Sequence, residues 1–69
     1  GHRFETYAIP APRGSNAIVL NGAVAHLGRK GDRVTIMTFG LLSNEGARDH
    51  QPTVIVLNDS NEIISRRGI

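Results

Sequence analysis

The chain has 69 residues, no cysteine and a formal net charge of +2, with 8 Lys and Arg against 6 Asp and Glu. This length allows one domain at most, and the absence of cysteine excludes disulfides and thiolate metal sites. The basic residues form no clustered stripe for nucleic acid, and no apolar run approaches the roughly 20 residues of a membrane span. No signal peptide is visible and the absence of cysteine fits a cytosolic protein, so we expect a cytoplasmic location.

Stability is a problem for a chain of this size, since it buries only about 60% of the surface that its unfolded form exposes. The histidines His2, His26 and His50 have no ligand spacing, so we expect no metal site to compensate. Oligomerisation or a companion segment is therefore the expected source of further stability. Because the first residue is Gly1 and not methionine, a fragment or a processed product is a further expectation.

Three segments in the first two thirds of the chain predict β-strands. Residues 3–9 are rich in β-formers with alternating faces, and the prolines at positions 10 and 12 end this strand. Residues 17–20 have no polar face, which predicts a strand covered on both sides. Residues 34–42 form the longest apolar run, which suits a central strand better than an amphipathic helix.

Two helical turns and a hairpin are predicted from local signals. Residues 23–27 predict one turn, with Asn21 or Gly22 at its start. The polar stretch from Ser43 predicts a second turn, extended by residues 47–50 and ended by Pro52. Residues 54–57 predict a buried strand and residues 62–65 its hairpin partner, joined by a turn at residues 58–61. Residues 66–69 predict a solvated tail.

The predicted fold is mainly β, with about five short strands and two short helical turns in one domain over residues 1–69. Five strands do not readily close a barrel alone, and two of these strands have no polar face. We therefore expect some of the strand partners to come from outside this chain.

Arg3 and Tyr7 are the first candidates for chemistry. On a strand they share one face, about 13 Å apart along it. A guanidinium binds a carboxylate bidentately, and a tyrosine hydroxyl can donate or relay a proton. Both residues equally suit the rim of an edge strand. Thr6 faces the opposite side of an ideal strand, so a common pocket requires the strand to end or twist there.

The second candidate is the turn made of Asn21, Gly22, Ala23 and Val24. Backbone N–H groups at the start of a helical turn bind anions, and small side chains let a ligand approach closely. An ordinary Asn-Gly turn is the alternative. His26 is expected to make a structural hydrogen bond within the helical turn.

The R-x-x-T-Y block at residues 3–7 and the N-G-A-x-A-H block at residues 21–26 resemble the aspartate 1-decarboxylase family in order and spacing. The likeness extends over nearly the whole chain but covers only the C-terminal part of the family's alpha chain. It implies a double-psi β-barrel, incomplete in this chain, that assembles into a homotetramer.

The resemblance also implies a cofactor and a reaction. In this family a precursor cleaves itself at a Gly-Ser bond, and the serine becomes a covalently bound pyruvoyl group. That group forms a Schiff base with L-aspartate and accepts the electrons released when CO2 leaves, which yields the pantothenate precursor β-alanine. The pyruvoyl-forming serine would belong to a companion N-terminal segment or chain, because Gly14-Ser15 aligns with a turn in the family pattern.

The resemblance assigns a role to each candidate. Tyr7 would be the catalytic proton donor, Arg3 would bind a substrate carboxylate, and Thr6 would contact substrate and assist self-cleavage. Asn21 would orient the pocket wall. Backbone N–H groups would bind a carboxylate at Gly22, Ala23 and Val24. Val24 stands where the family usually has a second alanine, which would narrow the pocket.

Two other functional classes stay open at this point. The positive balance and short strands also suit a small basic module that binds nucleic acid. Its aromatic residues, Phe4, Tyr7 and Phe39, are not interleaved with basic ones as stacking surfaces are, so we expect neither a nucleic-acid nor a membrane partner. The third class is a purely structural β-subunit in which the turn at Asn21 is only a turn.

Overall fold

The computed structural model describes residues 2–68. The chain divides into two compact units, Gly1–Val34 and Thr35–Ile69. Gly1, where the predicted fragment begins, and Ile69, where the predicted tail ends, lie outside the described residues. No helix within residues 2–68 is long and apolar enough to cross a membrane.

A 3₁₀-helix, Gly22–Leu27, is the regular element of the first unit. Asn21 precedes it in an extended conformation, with φ −107° and ψ 158°, and Gly28 follows it, also extended. The helical turn predicted to begin at Asn21 or Gly22 is confirmed. A second turn is closed by the Ser15 N–H, which donates to the Pro12 carbonyl at 3.2 Å, so the Gly-Ser pair lies in a turn as expected.

The predicted strands over residues 3–9, 17–20 and 34–42 are wrong for this chain, since none of them is a strand among residues 2–68. Their residue types favour an extended backbone. A strand nevertheless needs a neighbour that accepts and donates along its whole length, and its backbone groups otherwise bond to water. Among residues 2–68, such a neighbour is present only for the hairpin in the second unit.

The second unit begins its regular structure with α1, Asn44–Asp49. Ser43 caps this helix, because its Oγ accepts a hydrogen bond from the Gly46 N–H at 3.0 Å. The helix ends before His50, which is extended, and Pro52 follows two residues later. The predicted helix start at Ser43 is confirmed, and the helix stops one residue short of the predicted end.

The strands β1, Val54–Leu57, and β2, Ile63–Arg67, form an antiparallel hairpin. Its turn is organised by Asn58, whose Oδ1 accepts hydrogen bonds from the N–H groups of Ser60 at 2.9 Å and Glu62 at 3.0 Å. The register changes between Val56 and Leu57, which leaves Ile64 as the additional residue on β2.

The hairpin predicted from the sequence is confirmed, but the predicted tail begins too early. Arg66 and Arg67 belong to β2, because they pair with Ile55 and Val54 of β1. A basic pair at the end of a chain has the composition of a solvated tail. Here the apolar strand opposite provides backbone partners, and the pairing continues through both arginines.

No side chain within residues 2–68 is buried, and large apolar ones are exposed throughout, including Leu41 at 101% and Phe39 at 81%. The predicted burial of residues 17–20 and 54–57 is therefore wrong for this chain: Leu20 and Val54 are half-buried and the other residues of both segments are exposed. The described structure is one antiparallel hairpin with two short helices, without the five strands of the predicted mainly β fold.

Candidate functional site

The first unit contains every residue predicted to form the site: Arg3, Thr6, Tyr7, Asn21, Gly22, Ala23 and Val24. Arg3, Thr6 and Tyr7 lie on a segment without regular secondary structure, and all three are exposed. Tyr7 exposes 78% of its surface. The strand that would set the spacing of Arg3 and Tyr7 is absent from residues 2–68, so their shared face stays a prediction.

The turn begins with an unusual backbone. Gly22 has φ 63°, in the left-handed region that glycine adopts without strain. Apart from its chain neighbours and the nearby backbone of the helix itself, no atom lies within 4 Å of the position that a Cβ on Gly22 would take. This side of the turn is therefore open, and a ligand can approach the main chain closely.

Asn21 does not use its side chain to close the 3₁₀-helix, since it makes no capping hydrogen bond. The first N–H groups of a helix have no partner within the helix and are satisfied by a cap, by water or by a ligand. The turn therefore offers backbone donors to an acceptor outside it. The orienting role of the Asn21 side chain stays a prediction.

Val24 differs from its neighbours in the turn because it is half-buried, while Gly22, Ala23 and Ala25 are exposed. Part of the surface of this residue is therefore covered by the chain. The sequence predicted that Val24 narrows the pocket, and this narrowing stays a prediction.

A cavity of about 360 Å³ lies next to the predicted site. Its lining residues, none of which was predicted to bind substrate, are His2, His26, Leu27, Gly28, Arg29 and Asp32. His2 directly precedes Arg3 in the chain, and residues 26–28 end the 3₁₀-helix. The cavity thus brings His2, the residue before the R-x-x-T-Y block, beside the end of the turn.

The wall of this cavity is tied by a reciprocal pair of hydrogen bonds. The Arg29 N–H donates to Asp32 Oδ2 at 2.9 Å, and the Asp32 N–H donates to the Arg29 carbonyl at 2.9 Å. The residue pair Gly31-Asp32 is typical of a surface turn, but such a pair gives no sign of a cavity. Across residues 2–68, no group of three or more His, Cys, Asp or Glu side chains could hold a metal ion.

A sequence model of the family described as aspartate decarboxylase matches residues 1–64, which include both blocks of the candidate site. The chain belongs to the aspartate decarboxylase family. The resemblance predicted from the blocks at residues 3–7 and 21–26 is confirmed.

Individual members of the family show the same relationship. The chain is 55% identical over 65 residues to the aspartate 1-decarboxylase of Heliobacterium modesticaldum. These 65 residues make up 94% of this chain and 49% of that protein. The chain is 57% identical over 63 residues to the aspartate 1-decarboxylase of Phenylobacterium zucineum, covering 91% and 53%. For the Halalkalibacterium halodurans enzyme the values are 47% over 68 residues, covering 99% and 54%. The chain spans about half the length of these curated relatives.

Proposed function

We propose that this chain supplies part of the substrate pocket of a pyruvoyl-dependent aspartate 1-decarboxylase, which converts L-aspartate to β-alanine and CO2. The observation that carries the proposal is the family match over residues 1–64, which contains both candidate blocks. That match favours the lyase over a nucleic-acid-binding module or a purely structural subunit. The product would serve pantothenate biosynthesis, and we place the enzyme in the cytoplasm.

The remainder of the fold is proposed to come from a companion segment or chain of the same enzyme. In support, the chain spans about half the length of its relatives, covering 49% of one and 53% of another. The apolar side chains of residues 34–42 also lack a core, with Leu41 and Phe39 exposed at 101% and 81%. Burying such surface is the main favourable contribution to folding. We propose that the companion segment buries this surface and completes a double-psi β-barrel in a homotetramer.

A covalently bound pyruvoyl group, carried on the companion segment, would supply the electron-accepting carbonyl for the decarboxylation. The open side of the turn fits a small group of this kind, because a Cβ on Gly22 would meet nothing within 4 Å. The backbone N–H groups that follow Asn21, which that side chain does not cap, suit a carbonyl or carboxylate oxygen.

The residues of this chain have separate tasks in the proposed reaction. The Arg3 guanidinium binds one carboxylate of aspartate through paired hydrogen bonds. The N–H groups of Gly22, Ala23 and Val24 bind a carboxylate oxygen, with Asn21 orienting the wall.

The remaining two tasks fall to neighbouring hydroxyls. The Tyr7 hydroxyl holds the proton that is delivered to the α-carbon after the carboxylate leaves. Thr6 contacts the substrate and assists the self-cleavage of the precursor.

The test uses this chain purified together with its companion, or the full-length protein. We expect β-alanine to accumulate from L-aspartate by proton NMR. Intact-mass analysis should reveal a companion polypeptide whose N-terminal carbonyl is reduced by borohydride. A correctly assembled protein that carries this carbonyl and leaves L-aspartate unchanged would overturn the proposal.

A further inference from the structure

We propose that Leu20 and Gly28 form a positioning pair that holds the substrate-binding turn in its binding geometry. This inference rests on the proposed function, since it concerns how the N–H groups of the turn are aimed. The two residues flank the 3₁₀-helix: Leu20 lies two residues before it, and Gly28 directly follows it.

The reason for a glycine at position 28 is space and not backbone conformation. Gly28 has φ −150° and ψ 161°, which any residue adopts. A Cβ built on it, however, would lie 2.6 Å from Leu20 Cδ1. Carbon atoms in contact are about 3.5–4.0 Å apart, so the leucine occupies the volume that a side chain at position 28 would need. The end of Leu20 therefore lies directly against the main chain at Gly28.

Burial agrees with a contact between the two ends of the turn. Within the described part of the first unit, the half-buried residues are Leu20, Val24 and Gly28, and the others are exposed. The residues on either side of the 3₁₀-helix, Leu20 and Gly28, are thus both partly covered, as their contact requires.

The turn needs this support because its caps provide little. Both flanking residues are extended, and Asn21 makes no capping hydrogen bond. A 3₁₀-helix of six residues has weak hydrogen-bond geometry of its own. The contact of Leu20 with Gly28 ties the two ends of the turn together, which fixes the direction of the N–H groups between them.

The experiment is a double-substitution cycle in the full-length, processed enzyme, with Gly28→Ala, Leu20→Ala and their combination. The new methyl group in Gly28→Ala displaces the leucine by about 1 Å, the difference between 2.6 Å and ordinary contact. We expect a KM for L-aspartate about three- to tenfold higher, because small misplacements weaken oriented contacts strongly. The kcat and the pyruvoyl content should stay at their wild-type values.

The combined variant distinguishes positioning from general damage. In Leu20→Ala the turn loses its cover and the KM rises, but the methyl group of Gly28→Ala then enters vacated space. We therefore expect the double variant to be no worse than Leu20→Ala alone, and Leu20→Val with Gly28→Ala to restore the KM. Additive increases, or an unchanged KM in Gly28→Ala, would refute the pairing. The two single variants, assayed beside the double variant in the same full-length enzyme, are the controls of this cycle.

Amide hydrogen exchange at Ala23 and Val24 provides a readout that does not require turnover. Gly28→Ala should accelerate exchange at both amides, and the Leu20→Val combination should slow it again. If exchange follows this pattern in an enzyme that leaves L-aspartate unchanged, the proposed function fails and the positioning pair stands. An active enzyme whose exchange is insensitive to Gly28→Ala would contradict the pair alone.

Discussion

Substitution of Gly22 by alanine tests whether the left-handed start of the 3₁₀-helix is needed for substrate binding. Gly22 has φ 63°, and nothing lies within 4 Å of the Cβ that alanine would add. The protein itself therefore has room for the methyl group, and the penalty comes from the backbone alone. For an L-residue the left-handed conformation costs about 1–2 kcal/mol.

The backbone penalty affects substrate binding differently according to the φ that alanine adopts. If alanine keeps the positive φ, the turn is less stable by about 1–2 kcal/mol. If the backbone relaxes to a negative φ, the following N–H groups rotate away from the ligand. Substrate binding then has to restore the left-handed conformation, which costs the same free energy. Because 1.4 kcal/mol corresponds to a factor of ten, we expect the KM for L-aspartate to rise about 5- to 30-fold.

Gly22→Asn separates backbone strain from obstruction of the ligand. Asparagine adopts the left-handed region more readily than alanine, but its side chain is larger. If strain dominates, the asparagine variant should have the lower KM of the two. If the open side of the turn matters mainly because substrate must approach it, asparagine should be the more damaging. Steady-state kinetics and amide exchange at Ala23 measure both effects, and wild-type values of both in Gly22→Ala would refute the reasoning.

Further substitutions test the remaining assignments. Arg3→Ala should raise the KM by about 10- to 100-fold in steady-state assays, because a hydrogen bond to a charged group contributes roughly 1.5–3 kcal/mol. Tyr7→Phe should lower the kcat by about 10²- to 10⁴-fold with little change in KM, as expected for a lost proton donor. Asn58→Ala should destabilise the hairpin by about 1–2 kcal/mol in hydrogen exchange, since two N–H groups lose their acceptor. Glu62→Ala, which removes only a 3.3 Å side-chain contact, is its control. Ser43→Ala should destabilise α1 by about 1 kcal/mol in the same experiment, through loss of its cap.

The elements that could be predicted from the sequence are those whose signals are local. Ser43 accepts from an N–H three residues later, and Asn58 accepts from N–H groups two and four residues later. Asn21-Gly22 likewise marked the start of the 3₁₀-helix. Such contacts form within a few residues whatever the rest of the chain does, so residue type alone is informative.

Local signals could not decide whether residues 3–9, 17–20 and 34–42 form strands in this chain. An apolar run such as residues 34–42 has the residue types of a strand, but only a neighbouring strand supplies its hydrogen bonds and only a second layer buries its side chains. The exposure of Leu41 and Phe39 shows that this chain supplies neither within residues 2–68. The contact of Leu20 with Gly28 was missed for a related reason, because a glycine required by a distant leucine looks like any turn glycine.

The proposed active site contains both kinds of element, a turn that forms from local contacts and a segment that needs a strand partner. The N–H groups that follow Asn21 lie on a turn that the chain forms alone, with Gly22 already at φ 63°. Arg3 and Tyr7 lie on a segment that has the residue types of a strand and no strand partner among residues 2–68. If the proposed roles hold, the donors of the turn would be arranged before assembly, whereas the guanidinium and the phenol would acquire their positions only when a companion strand pairs with residues 3–9. In the proposed enzyme turnover would therefore depend on assembly, even where the geometry of the turn does not.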